Sequence, residues 1–116
     1  MILADTSVWI HHLRSDFPEL RSALEDGLVL VHPFVIGELA CGTLKNRREF
    51  LQDLAQLPTI VVAEHAEVMA LVDRWGLAGS GIGWLDAHLL AAARIAGARV
   101  WTLDQPLARA AAVIGA

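Results

Sequence analysis

Cysteine is nearly missing from this chain of 116 residues, where Cys41 stands alone. A single thiol excludes an intrachain disulfide and any zinc site built on cysteine pairs, and the cytoplasm is the expected compartment. Charge is thin as well, at 19% of residues, and lysine occurs once, as Lys45, beside eight arginines. Nine basic residues against thirteen acidic ones leave a net charge of −4, which argues against simple electrostatic wrapping of nucleic acid. A nuclease stays possible, because a carboxylate-rich metal centre is itself a cluster of negative charge. No apolar run approaches the roughly 18–20 residues of a membrane span, so no membrane association is expected. No basic stretch precedes Ile2-Leu3-Ala4 and Asp5 follows at once, so no secretory leader is expected either.

What the chain has instead is apolar surface. Hydrophobic residues make up 55% even before nine glycines are added, against a usual 45–50% with glycine included. Disorder is excluded, and the surplus suggests that a second copy or a partner covers part of it. The alanine runs at 91–93 and 110–112 offer flat helix faces for such a homodimer. No repeat, linker or low-complexity tract interrupts the sequence, so residues 1–116 read as one domain.

Short apolar runs alternate with amphipathic stretches. Strands are expected at 2–4, 28–31, 59–62 and 99–103. Helices are expected over 8–14, from Asp16-Phe17-Pro18 to Asp26-Gly27, and over 34–44, 47–56, 66–75, 84–96 and 106–114. The pattern predicts an α/β fold, a three-layer α/β/α sandwich with a mainly parallel sheet of four or five strands.

In such folds the crevice lies at the carboxyl ends of the strands. Asp5 and Asp104 each follow an apolar strand run, where an Asp serves either as a helix N-cap or as a crevice group. Asp86 lies in the apolar stretch Trp84-Leu85-Asp86-Ala87-His88, with Leu89, Leu90 and Ala93 on its own helical face. The dipole of the first turn would favour it there, but burial of a lone carboxylate costs several kcal/mol unless it is paired or metal-bound. Glu38 is the only charge in Phe34-Val35-Ile36-Gly37-Glu38-Leu39-Ala40-Cys41-Gly42, on an exposed stripe or at the crevice. If the four acids converge, each pair at about 4 Å repels by roughly 4 kcal/mol at an effective dielectric of 20. Either they protonate or a divalent cation holds them. An all-oxygen set selects a hard ion, Mg²⁺ or Mn²⁺, suited to phosphodiester hydrolysis.

These residues resemble a known family. Asp5-Thr6-Ser7 after the first strand, Glu38 in Val35-Ile36-Gly37-Glu38-Leu39, Asp86 in Trp84-Leu85-Asp86-Ala87-His88 and the late Thr102-Leu103-Asp104 are similar, in order and spacing, to the PIN-domain ribonucleases. The closer likeness is to the VapC-like toxins of bacterial type II toxin–antitoxin systems, over essentially the whole chain. The resemblance implies a PIN-like fold and a Mg²⁺- or Mn²⁺-dependent endoribonuclease that hydrolyses RNA with a metal-activated water. It also implies a homodimeric toxin and a cognate VapB-like antitoxin that occludes the site. By the same likeness, Asp5 and Asp86 would be the main metal ligands, with Glu38 and Asp104 as further ligands or holding water. Thr6 and Ser7 would orient Asp5 or substrate, and Thr102 matches the hydroxyl near the last acid. Gln105-Pro106-Leu107 departs from the acid or aromatic that often follows in the family.

The remaining polar residues point to less. None of His11, His12, His32, His65 and His88 forms an i, i+4 pair, so a helical zinc motif is missing, and packing is the expected role of His88. Cys41 is expected as a small buried core residue. Lys45, Arg47 and Arg48 form the densest basic segment, either a solvated helix start or a grip on RNA phosphates. Two other classes compete with the nuclease. One is a receiver-like Mg²⁺-binding signalling domain, which would want paired acids after the first strand and a lysine after a late one. The other is a non-catalytic α/β binding module whose acids are only caps.

Overall fold

The computed structural model describes residues 1–116. The elements run β1 (Ile2–Ala4), α1 (Thr6–Ser15), α2 (Pro18–Glu25), β2 (Val29–Leu30), α3 (Pro33–Ala40), α4 (Arg47–Ala55), α5 (His65–Arg74), α6 (Trp84–Ala96), β3 (Arg99–Trp101) and α7 (Gln105–Ile114). The sheet is parallel with order β2-β1-β3, so the first strand is central. Ile2 pairs with Val29 on one side and with Arg99 on the other. Leu3 and Ala4 are wholly buried, as expected for a parallel strand covered on both faces.

Helices α1, α6 and α7 pack on the strands, α5 lies against α6, and α3 bridges α1 and α4. Local chemistry sets their bounds. Pro18 and Pro33 occupy first turns, where a missing N–H costs nothing, and the Nδ1 of His32 accepts the Phe34 N–H at 2.9 Å to cap α3. Helix α6 stops at Gly97, whose φ of +70° suits glycine. No helix is long and apolar enough to cross a membrane.

The α/β architecture matches expectation, but the sheet has three strands rather than four or five. Residues 59–62 make one bridge, Val31 to Thr59, closed by hydrogen bonds from Val31 N–H to Pro58 and from Ile60 N–H to Val31. Beyond it Ile60 turns inward while Val61 is 83% exposed, so the β-branched run continues as irregular chain. Helix α3 ends at Ala40, short of residue 44. Cys41 is therefore exposed rather than in the core.

The alanine runs are also spent differently. Ala91, Ala92 and Ala93 lie in the chain's own core because α6 is enclosed between β3 and α5, and Ala110 and Ala111 lie there because α7 packs on β3. Ala112 alone of the two runs is exposed. The buried alanines let helix and sheet approach closely within one molecule, and they offer no face to a second copy.

Candidate active site

Asp5 ends the central strand and caps α1, so both readings of it hold at once. Its Oδ1 accepts the Ser7 N–H at 2.9 Å, the Val8 N–H at 3.3 Å and the Ser7 hydroxyl. Its Oδ2 accepts the Thr102 hydroxyl at 2.7 Å. Each hydroxyl spends its single proton on Asp5 and turns a lone pair to a backbone N–H of the loop before α7. Ser7 Oγ accepts the Leu103 N–H at 3.0 Å, and Thr102 Oγ1 accepts the Asp104 N–H at 2.9 Å. The starts of α1 and α7 are thus laced together through one buried carboxylate. Ser7 and Thr102 hold Asp5, but the Thr6 hydroxyl makes no hydrogen bond to it. The Thr6 hydroxyl is buried without a partner, and the residue lines a cleft of about 390 Å³ together with Glu38, Arg14 and Lys45.

Asp86 is half-buried in the first turn of α6, where its Oδ2 accepts the Gly83 N–H at 3.2 Å. Burial raises its carboxyl above the ordinary range, and the charges of Asp104, Asp5 and Glu38 push the same way against the Gly83 bond. All four acids therefore share one electrostatic neighbourhood. Asp104 is exposed and caps α7 through the Leu107 N–H at 3.1 Å, while Glu38 projects from the open side of α3. As placed, no three His, Cys, Asp or Glu side chains stand close enough to hold one ion. The donor chemistry fits a hard cation nonetheless: all ligating atoms are oxygens, and Asp86 carries a proton-attracting field that a cation would relieve.

The basic segment divides. Arg47 donates from Nε and Nη2 to the Ala40 carbonyl at 3.3 and 3.0 Å, closing the end of α3. Lys45 lines the cleft beside Glu38, and Arg48 is exposed. Helices α3 and α6, which carry Glu38 and Asp86, also carry rings that sequence reading did not assemble into a cluster. His88 is buried, as expected of a packing residue, and meets Phe34 and Trp84 edge-on. His32 packs on the same group, and burial together with the nearby His88 lowers its imidazole to about 4. The available signal was the turn spacing of Phe34 to Glu38 and of Trp84 to His88, which aligns rings with the acid-bearing helices.

The profile of one family, the PIN domain, matches residues 2–113. The chain belongs to the PIN-domain family. It is 47% identical over 116 residues to Ribonuclease VapC32 of Mycobacterium tuberculosis, in strains CDC 1551 / Oshkosh and H37Rv alike, covering 99% of this chain and 94% of that protein. The PIN domain described here is thus VapC-like, and the receiver-domain alternative falls. VapC-type PIN nucleases are in general metal-dependent, which agrees with the all-oxygen donor set.

Proposed function

We propose that this PIN domain is a metal-dependent endoribonuclease acting as the toxin of a type II toxin–antitoxin pair. The observation that carries the reading is Asp86, half-buried with its proton affinity raised partly by three further carboxylates. Four acids in one neighbourhood repel one another unless they take up protons or a cation offsets their charge, and a hard divalent cation would do so. Asp5 and Asp86 would hold Mg²⁺ or Mn²⁺, with Glu38 and Asp104 as further ligands or as anchors for water. When bound, the ion supplies the Lewis acidity that phosphodiester hydrolysis needs. The chain's own part is orientation. Ser7 and Thr102 fix both oxygens of Asp5, and the Gly83 N–H aims Asp86. Lys45 and Arg48 are free to meet RNA phosphates, whereas Arg47 is engaged on Ala40.

Purified protein with Mg²⁺ should cut single-stranded RNA, stop in EDTA and resume when Mg²⁺ is restored. Cleavage that persists in EDTA, or none with either metal, would sink the reading. The same acids attract a guanidinium, which pairs two oxygens at once, so a VapB-like antitoxin would present an arginine-led basic segment to Asp5, Glu38 and Asp86. The toxin is proposed to be a homodimer, its contact drawn from exposed apolar residues such as Ile95 and Val113.

Stability offers a separate check. A raised carboxyl means that ionised Asp86 costs the folded state stability at neutral pH, and the cost is relieved as pH falls. Asp86→Asn keeps an oxygen for the Gly83 N–H and loses the charge. Its Tm in EDTA at pH 7 should exceed that of the parent, while added Mg²⁺ should raise the parent's Tm more than the variant's. Equal Mg²⁺ shifts would place the ion elsewhere.

A further inference from the structure

The ring cluster formed between α3 and α6 has an open side. The imidazole of His88 is 5% exposed and forms a floor, while Phe34 and Trp84 are 41% and 43% exposed. Phe34 meets the imidazole with ring centroids 4.7 Å apart at 66°, and Trp84 meets it at 4.9 Å and 89°. Each outer ring has a second ring neighbour. His32, itself wholly buried, lies 4.9 Å from Phe34 and backs it, and the exposed His65 lies 5.0 Å from Trp84. Two partly exposed aromatic rings thus flank a buried imidazole.

They stand on the two helices that carry Glu38 and Asp86, and Phe34 shares a helical face with Glu38. Phe34 is one turn before Glu38 on α3, and Trp84 is two residues before Asp86 on α6. We propose that Phe34 and Trp84 form a stacking slot for one base of the RNA strand, adjoining the phosphate that is cut. The inference rests on the ribonuclease reading and adds how a net acidic chain holds its substrate. With a net charge of −4, and with Arg47 turned to the Ala40 carbonyl, only Lys45 and Arg48 of the basic segment face phosphates freely. Contact with bases would add to that limited electrostatic grip. Unstacked bases of single-stranded RNA are commonly held on aromatic rings, at about 1–3 kcal/mol per base.

The test uses the Asp5→Asn protein with Mg²⁺, which leaves strands uncut, and a fluorescein-labelled short single-stranded RNA of mixed sequence. Adding Phe34→Leu or Trp84→Leu should weaken binding about 5- to 100-fold. Trp84→Phe should retain most of the affinity. The slope of affinity against salt should not change, because no charge is removed. An otherwise identical probe with abasic positions should bind the parent more weakly and the double Leu variant no differently. Unchanged affinity in both Leu variants overturns the slot, as does equal binding of intact and abasic probes to the parent; the latter arm decides the matter if a Leu variant fails to fold. Leu variants that keep RNA and lose an arginine-rich antitoxin peptide give the surface to a protein partner, which also overturns it. Failure of the wild type to cut RNA with Mg²⁺ overturns the ribonuclease reading itself, whereas normal cutting with unaltered Leu variants overturns the slot alone.

Discussion

Asp5→Asn is expected to lower the rate of RNA cleavage by about 100-fold or more while leaving the fold in place. Loss of a group that merely orients a metal ligand costs roughly 10–100-fold, and loss of a charged ligand itself should reach at least the upper end. The substitution is close to isosteric. An asparagine oxygen can still accept the Ser7 and Val8 N–H groups, which preserves the cap of α1. The amide nitrogen, however, would face a Thr102 hydroxyl that now donates to Asp5, so that hydroxyl must turn and the Asp104 N–H bond with it. Some loss of Tm should therefore accompany the loss of activity, as one buried hydrogen bond typically contributes about 0.5–1.5 kcal/mol. Initial rates with Mg²⁺ and a melting curve on the same preparation check both parts. A rate within about tenfold of wild type would remove Asp5 from the reaction.

Acid should weaken the fold through His32, by roughly 3 kcal/mol in total. Burial and the neighbouring His88 hold this imidazole neutral down to about 4, whereas in the unfolded chain it takes a proton near 6.5. Between those values the unfolded state binds more protons, so stability is full above pH 6.5 and falls as pH drops towards 4. At 1.36 kcal/mol per unit the difference amounts to about 3 kcal/mol, large beside the 5–15 kcal/mol of a typical domain. Asp86 works in the opposite sense, gaining stability on protonation, so the comparison must be made against a matched variant. His32→Asn keeps an acceptor for the Phe34 N–H and does not titrate. Urea unfolding at pH 7 and 4.5 should show a fall for the wild type that exceeds the variant's by about 2–3 kcal/mol. Parallel falls would show that His32 is not the group responsible.

Much of this was legible in the sequence for a local reason. An apolar run that ends in Asp marks both a strand end and a helix start at Asp5, whereas Asp104 marks only the start of α7, since β3 stops at Trp101 and not at the expected residue 103. Helix α6 was bounded correctly because an unbroken apolar stretch closes on Gly97. The failures share a different cause. Residues 59–62 have the composition of a strand, but pairing depends on a neighbour's N–H and C=O groups, and only one bridge forms. Cys41 and the alanine runs have compositions that suit either surface or core, and the helix boundary at Ala40 and the enclosure of α6 decide them. The ring cluster joins residues 32, 34, 65, 84 and 88 from separate segments, and no window of sequence holds it.

The Asp5–Thr102 contact spans 97 positions along the chain. On a ribosome, Asp5 emerges early and waits for its partner through the synthesis of everything between, several seconds at about 5–20 residues per second. Until then one edge of the central strand lacks β3, and the carboxylate lacks the hydroxyl that aims it. A growing polypeptide thus carries every early acid yet has no assembled centre. If the protein is the toxin proposed above, translation itself delays its activity, and that delay is an interval in which an inhibitor could bind.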